Sequence, residues 1–200
     1  MGSESFFRVM FAIILVAAFG MSAFFRRRAR RTEAIPRSRE GGRTLFLRLL
    51  FAVPFYLAMV VYVVNPDGMA WSAIPLPAAV RWAGVALGLA ALPMLYWVLR
   101  SIGRNISETV LTKTDHQLVT HGPYRWVRHP LYTVATVAFL SLGLIASNAF
   151  ILVMGGVIFA AMALLVVPKE EAKLMDKFGE AYDEYRRRTG ALVPRVTVRG

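Results

Sequence analysis

LYTVATVAFLSLGLIASNAFILVMGGVIFAAMALLVV, residues 131–167, is the stretch that decides the fold of this chain. It contains no charged residue, and one helix needs only about 20 residues to cross a hydrocarbon core about 30 Å thick. The stretch is therefore too long for a single membrane helix. Ser147 and Asn148 lie near its middle and favour a tight turn. We predict a helical hairpin over 131–167, with both of its outer ends on the same side of a membrane.

The composition of the whole chain agrees with a membrane protein. Of the 200 residues 56% are hydrophobic and the mean hydropathy is +0.50, whereas soluble domains are about 45–50% apolar. Three further apolar runs, residues 6–25, 45–64 and 80–99, have the length of membrane helices. We therefore predict an all-α, polytopic membrane protein with about five transmembrane helices. The lack of cysteine excludes a disulfide framework, a thiolate nucleophile and a metal site with cysteine ligands.

The net charge of +12 is concentrated in blocks that flank the apolar runs. Segments 26–43 and 169–199 each hold eight of the 24 Lys and Arg residues. Membrane proteins carry such blocks on the cytoplasmic side, so we interpret the charge as a topology signal and expect no nucleic-acid partner. The prediction is a multi-pass protein of a bacterial inner membrane, with its N-terminus outside and its C-terminus cytoplasmic. Segments 100–130 and 168–200 then lie together on the cytoplasmic face.

An amphipathic helix is predicted after the hairpin, over about residues 168–190. Its apolar side is formed by residues at helical spacing, namely Leu174, Phe178, Tyr182 and Tyr185. This side packs either against the rest of the protein or against the membrane surface, and the pattern fits both. Gly190 and Pro194 are expected to end the helix.

The segment before the hairpin, residues 116–132, is dense in histidine, arginine and aromatic residues. Ionisable groups beside membrane helices are costly to hold there and therefore mark functional sites. Pro130 suits the first turn of the following helix, whose free amides offer an anion site. We expect Arg128 and these amides to hold a carboxylate or phosphate, while Arg125 is equally well explained by contact with lipid headgroups.

Glu170 and Glu171 form a second candidate site, at the start of the predicted amphipathic helix. Adjacent carboxylates there are often no more than partners of the helix dipole. Glu171, however, lies three residues before Leu174, on or beside the apolar side, where a carboxylate needs a partner such as a ribose hydroxyl, an Arg or a His. We also predict that Glu170 and Tyr124 approach one cavity. The histidine spacing HxxxxHxxxxxxxH matches no compact zinc signature, so no metal is expected.

Three ordered motifs resemble those of a known family: HxLVTxGPY at 116–124, RHPxY at 128–132 and EExxLxxxFGxxYxxY at 170–185. The family is that of the integral-membrane methyltransferases, which include isoprenylcysteine carboxyl methyltransferase and the phospholipid N-methyltransferases. The resemblance spans residues 103–194. Three motifs in this order are far more specific than any one of them alone.

The resemblance implies that S-adenosylmethionine (SAM) is the methyl donor and binds within residues 100–200, while residues 1–99 supply membrane helices and the basic loop at 26–43. The implied pocket is formed by the loop at 100–130, the hairpin and the C-terminal helix. Its donor-binding positions, carried over by motif, are His116, Gln117, Leu118, Val119, Tyr124, His129, Pro130, Leu131, Tyr132 and Glu170. Val166 departs from the family by replacing an Arg that prenylcysteine enzymes link to substrate, and Val134 replaces a common Gly.

The predicted function is transfer of a methyl group from SAM to a lipophilic acceptor that reaches the pocket from the lipid bilayer. A carboxylate acceptor needs no general base, whereas an amine or thiol acceptor must lose a proton. We predict His129, Arg128 and Glu171 as catalytic residues, with His129 or a Glu of the pair as the base. The alternatives are an NADPH-dependent membrane reductase of the sterol or steroid type and a non-catalytic membrane protein of the same fold. The sequence does not predict the oligomeric state.

Overall fold

The computed structural model describes residues 3–30, 42–103 and 118–195. Its α-helices are α1 (Ser3–Arg30), α2 (Gly42–Val64), α3 (Ala78–Ile102), α4 (Pro130–Ala146), α5 (Ala149–Ala161), α6 (Val167–Phe178) and α7 (Glu180–Arg188). Short 3-10 helices cover Pro66–Ser72 and Gly122–Arg125, and Met162–Val166 forms a π-helical turn. Within these three ranges there is no β-structure beyond two isolated bridges, so the predicted all-α class is confirmed there.

Three helical stretches are long and apolar enough to cross a membrane: Ser3–Ala29, Ala78–Ile102 and Ala149–Phe178. Two shorter apolar helices, Leu49–Val64 and Pro130–Ala146, accompany them. The apolar runs predicted from the sequence are therefore helical, whereas the count of five transmembrane helices stays a prediction. Many large apolar side chains on these helices point outward, as expected for surfaces that contact lipid.

The predicted hairpin turn lies at Ser147 and Asn148. Ser147 adopts a left-handed backbone conformation with φ 52°, and the Asn148 side chain caps α5 by accepting a hydrogen bond from the Ile151 N–H at 3.1 Å. The turn is held on the loop after α2, because Ser147 donates to the Ile74 carbonyl and Asn148 to the Ser72 hydroxyl, both at 2.8 Å. These bonds satisfy the polar groups of a buried turn and let α5 return along α4.

The C-terminal helices differ from the prediction in two places. No break separates the hairpin from the amphipathic segment, because the π-helical turn leads α5 directly into α6 and the Val167 N–H donates to the Met162 carbonyl. This wider turn directly precedes Pro168, which has no N–H for the helical ladder. The single helix predicted over 168–190 is in fact two, since Gly179 takes φ 52° and ends α6 before α7 begins. Glycine adopts this left-handed conformation without the steric cost that other residues meet.

The helices α3 and α4 pack closely against each other. A Cβ atom added at Gly84 would come within 2.9 Å of the Leu144 Cβ atom and 3.1 Å of the Ile145 backbone nitrogen. Small residues let membrane helices approach until their backbones touch, where dispersion contacts hold them together. This contact fixes the position of α4, whose first residues lead into the candidate site.

Two buried apolar clusters fill the bundle. One lies near the hairpin turn and includes Phe11, Phe55 and Ile145. The other lies beneath the Gly122–Arg125 turn and includes Tyr124. The second cluster therefore forms an apolar floor under the loop that carries the predicted site residues.

A buried cation ties α1 to the end of α4. Arg81 of α3 donates to the two oxygens of the Glu4 carboxylate at 2.5 and 2.9 Å and, from Nε, to the Ile145 carbonyl at 3.0 Å. Its guanidinium also lies 4.0 Å from the centre of the Phe7 ring. A buried charge is costly unless it is paired, and these contacts supply the pairing.

We predict that Gly84→Ala destabilises the protein by about 1–3 kcal/mol, because the added methyl group must push α4 away. Thermal unfolding of the detergent-solubilised protein, followed by tryptophan fluorescence, measures the change. Gly156→Ala is the matched control, since a Cβ atom at Gly156 meets no heavy atom within 4 Å and alanine favours a helix by about 1 kcal/mol over glycine. A Gly84→Ala midpoint equal to that of the control would contradict the close packing of α3 on α4.

Candidate functional site

Two segments far apart in the sequence run side by side at the start of α4. The Arg128 N–H donates to the Gly190 carbonyl at 2.9 Å, and the His129 N–H donates to the Ala191 carbonyl at 3.0 Å. The chain that follows α7 is thereby joined to the RHPxY motif. Because α7 follows directly on α6, the same contact brings the Glu pair of α6 toward the motif.

Five side chains from the loop, α4 and α6 form a row of interacting polar and charged groups. Arg128 Nε donates to Glu171 Oε1 at 2.8 Å, and His129 Nε2 lies 3.3 Å from the same oxygen. On the other side of the ring, His129 Nδ1 lies 3.4 Å from Glu170 Oε2, and the Tyr132 hydroxyl donates to Glu170 Oε1 at 2.6 Å. We call this row, in the order Arg128, Glu171, His129, Glu170 and Tyr132, the charge chain.

Local helix geometry explains why these groups meet. His129 immediately precedes α4 and Tyr132 lies in its first turn, so that the two rings stack with centroids 5.9 Å apart and an interplanar angle of 12°. Glu170 and Glu171 are consecutive in α6, and side chains of consecutive helical residues point about 100° apart. The imidazole ring fits between the two carboxylates, with one nitrogen toward each.

The contacts of His129 define its protonation state. An ionised carboxylate only accepts hydrogen bonds, and a neutral imidazole has a single N–H to donate. Burial by itself would lower the pKa of His129, but the hydrogen bonds to Glu170 and then Glu171 outweigh burial and raise the pKa above its usual value. The two carboxylates therefore favour the imidazolium form of His129, which can donate a hydrogen bond to each of them.

The charge chain balances its charges away from water. The side chains of His129 and Arg128 are only 6% and 10% exposed, and buried charges are costly unless they are paired. Two cations here face two anions, Glu170 and Glu171. The interpretation of this pair as partners of a helix dipole loses its basis, because α6 continues from the π-helical turn and has no free N-terminus at these positions.

Tyr124 lies beneath α7 and beside the charge chain. Its carbonyl accepts a hydrogen bond from the Tyr185 hydroxyl at 2.6 Å. Burial raises the pKa of the Tyr124 phenol, and the nearby Tyr185 and Glu170 raise it further. Tyr124 and Glu170 therefore share one environment although they are far apart in the sequence. The common cavity predicted for them stays a prediction.

The other predicted residues are distributed around this centre. Val119 and Leu131 pack against the apolar cluster that contains Tyr124. Pro130 is buried as the first residue of α4, and Leu118 is half-buried. His116 and Gln117 lie outside the described residues.

Sequence reasoning missed the polar role of the C-terminal segment. Thr189 is buried and its hydroxyl donates to the Tyr185 carbonyl at 2.6 Å. The Tyr182 hydroxyl is also buried and has no hydrogen-bond partner within residues 3–30, 42–103 and 118–195. Tyr182, Tyr185 and Thr189 follow one another at spacings of three and four. This pattern predicts a stripe of hydroxyl groups on one helix face, which the assignment of an apolar side concealed.

Comparison with known proteins relates this site to a family. Residues 84–176 match the model of the Isoprenylcysteine carboxyl methyltransferase (ICMT) family. The chain is 33% identical over 121 residues to the Cobalt-zinc-cadmium resistance protein CzcN of Cupriavidus metallidurans, which covers 59% of this chain and 56% of that protein. It is 29% identical over 96 residues to the Protein-S-isoprenylcysteine O-methyltransferase of Schizosaccharomyces pombe. These aligned residues cover 47% of this chain and 41% of that protein. The chain thus spans about half the length of these relatives.

The fold is similar to that of a solved structure, the eukaryotic intramembrane Ras methyltransferase ICMT (isoprenylcysteine carboxyl methyltransferase). The TM-score is 0.55 with 21% sequence identity, over 74% of this chain and 52% of that one. The family match includes the RHPxY motif and the Glu pair, whose side chains form the charge chain. The resemblance to the integral-membrane methyltransferases of the isoprenylcysteine carboxyl methyltransferase family is thereby confirmed over residues 84–176.

Proposed function

We propose that this chain is a SAM-dependent membrane methyltransferase that acts on a lipophilic acceptor. The observation that carries the proposal is the charge chain, which joins the RHPxY motif to Glu170 and Glu171 in one largely buried site. These are the motifs on which the family resemblance rests. Groups whose pKa values are shifted by burial and by specific charge partners are typical of functional sites.

The site offers groups that fit a donor with ribose hydroxyls and an adenine ring. Tyr132 contacts one Glu170 oxygen and His129 contacts the other, and a carboxylate offers about four acceptor positions in all. The buried Tyr182 hydroxyl has no partner in the described ranges, and such a group is costly until something pairs with it. Val119 and Leu131 supply apolar surface nearby. In this proposal Glu170 binds the ribose, and the other donor-binding positions carried over by motif complete the pocket.

SAM supplies a methyl group that its sulfonium already activates. The protein then needs mainly to hold donor and acceptor in line and to keep water away. The charge chain serves the first need, because Glu170 is fixed from one side by His129 and from the other by Tyr132. The buried ring of Tyr124 and the cover formed by α7 serve the second.

The geometry favours a role for His129 that differs from the one expected. An imidazolium with both N–H groups engaged has no lone pair for a proton, so His129 fits a fixed cation better than a general base. Arg128 and His129 both contact Oε1 of Glu171, and two neighbouring cations make this carboxylate a weak base. In this proposal Glu171 Oε2 accepts a hydrogen bond from an amine or thiol acceptor and orients it, and the proton of that acceptor is released to water. A carboxylate acceptor would need no such step.

The acceptor reaches the site from the bilayer. Leu164 and Leu165 in the π-helical turn are 72% and 59% exposed, and Leu165 precedes Glu170 by about one and a half helical turns. Apolar surface this close to carboxylates suits a substrate with a hydrophobic body and a polar reacting group. Val166 stands where prenylcysteine enzymes carry an Arg, so the acceptor is proposed only as a lipophilic carboxylate, amine or thiol. In this proposal the site lies on the cytoplasmic side, because the basic blocks favour that orientation.

A binding and transfer assay tests the function. We expect the purified protein in lipid nanodiscs to bind SAM by isothermal titration and not to bind NADPH. It should also transfer label from methyl-labelled SAM to a component of membrane lipid extracts or to a lipophilic acid, amine or thiol. Binding of NADPH in place of SAM would favour the reductase alternative. Binding of neither compound would favour a non-catalytic protein.

Removal of one carboxylate charge tests the donor site. We predict that Glu170→Gln weakens SAM binding by about 1.5–3 kcal/mol, or roughly ten- to a hundredfold, because charge-assisted hydrogen bonds to the ribose are lost. Glu184→Gln is the matched control, since Glu184 is exposed on α7 and pairs with the exposed Arg188 of the same helix. SAM affinities that do not distinguish the two variants would contradict the assignment of Glu170.

The protonation of His129 makes stability depend on pH. Because its pKa is raised in the folded protein, the charge chain stabilises fully below about pH 6.5, the ordinary histidine value, and the stabilisation is lost as pH rises through the folded-state pKa. We expect the unfolding midpoint of the wild type to fall from pH 6 toward pH 9 more steeply than that of His129→Gln. The exposed His121 supplies the control, and His121→Gln should follow the wild type. Parallel curves for all three proteins would contradict a raised pKa of His129 in the folded protein.

A further inference from the structure

The guanidinium of Arg128 is directed at the protein and not at open space. Its Nε donates to Glu171 at 2.8 Å, and its Nη1 donates to the carbonyls of Arg186, at 3.2 Å, and Thr189. One side chain thereby connects α6 with the end of α7. These contacts commit Nε and Nη1 of Arg128 to partners within the chain, which favours a structural task over the expected one of holding an anionic group of a ligand.

We propose that Arg128 is a positioning residue that latches the C-terminal segment, residues 180–192, onto the site through Glu171 and does not itself bind the methyl donor. The proposal rests on the proposed function for its catalytic meaning. Its structural content, the closure of residues 180–192 over the charge chain, is independent of which donor binds.

The end of α7 needs such a partner. The last carbonyls of a helix have no N–H within the helix to bind them, and the helix dipole favours a cation at this end. Arg128 supplies both a donor and a positive charge there. Arginine suits the task because its planar group presents several N–H donors in fixed directions, whereas lysine has one point charge. A lysine at this position could not reach Glu171 and the end of α7 together.

The latched segment is held along its length by the start of α4. The Gly190 and Ala191 carbonyls accept from the backbone N–H groups of Arg128 and His129, and the Leu192 carbonyl accepts from the Thr133 hydroxyl at 2.6 Å. His129 therefore has its backbone tied to the segment and its ring tied to the Glu pair. Release of the segment would shift the cation that orients Glu170.

The arginines on α7 form exposed ion pairs, unlike the largely buried Arg128. Arg187 is 77% exposed and pairs with Asp183 four residues earlier in the same helix. Such exposed pairs contribute little to stability. Arg187→Ala is therefore the matched control for Arg128→Ala, with the same side chain removed from the same region.

Hydrogen–deuterium exchange and SAM titration, applied to full-length protein in nanodiscs, test the proposal together. In Arg128→Ala we expect amide exchange across residues 180–192 to rise by about tenfold or more, as local opening becomes easier, and SAM affinity to fall by about tenfold. Arg187→Ala should change neither. Arg128→Lys should resemble Arg128→Ala in both measurements, and it carries the test if Arg128→Ala does not fold.

Glu171→Gln completes a double-mutant cycle. Because Arg128 acts through Glu171, the two substitutions together should cost little more SAM affinity than either alone. Full additivity would overturn the proposal. A loss of SAM affinity in Arg128→Ala with unchanged amide exchange would also overturn it, because that result would show direct contact of Arg128 with the donor. Faster exchange with unchanged affinity would overturn it as well, because Arg128 would then be a structural tie only. Failure of the wild type to bind SAM would refute the proposed function, while the exchange measurement would still judge the latch.

Discussion

The site depends on one constraint, which is that two consecutive carboxylates, Glu170 and Glu171, have little access to water. Each must be paired, because an isolated buried charge costs several kcal/mol. His129 lies between them and Arg128 completes the pairing. The loop, the start of α4 and α6 are thereby forced into a single arrangement. The close packing of α3 on α4 adds to this, since it holds the last turns of α4 against α3.

Local properties of the sequence predicted most of the helices. Uncharged length indicated the membrane helices, and Ser147 with Asn148 indicated the hairpin turn, because length and turn preference act over a few residues. The partner of Arg128, by contrast, cannot be predicted from local properties of the sequence. Arg128 and Glu171 are 43 positions apart, and nothing in either segment states that their side chains meet. The family motifs placed the two segments at one site, but motif spacing does not say which atoms are in contact.

The errors at the C-terminal end have the same origin. The change from an apolar to an amphipathic pattern near residue 168 suggests a new helix, whereas the π-helical turn, a feature of the folded backbone, leads α5 directly into α6. Gly179 lies within an amphipathic pattern that suggests an unbroken helix, yet its left-handed conformation ends α6. Thr189 was overlooked because the assignment of an apolar helix side concealed the hydroxyl groups at the same spacing.

The unbroken helix from Ala149 to Phe178 also relates the site to the thickness of the bilayer. With a rise of about 1.5 Å per residue, Glu170 lies about 30 Å along this helix from Ala149, which is about the thickness of a hydrocarbon core. The carboxylates therefore emerge near the lipid headgroups when the helix stands nearly upright. Thinner bilayers are accommodated by tilting such a helix. Lipid chain length thus sets the depth at which the Glu pair meets any molecule arriving from the membrane.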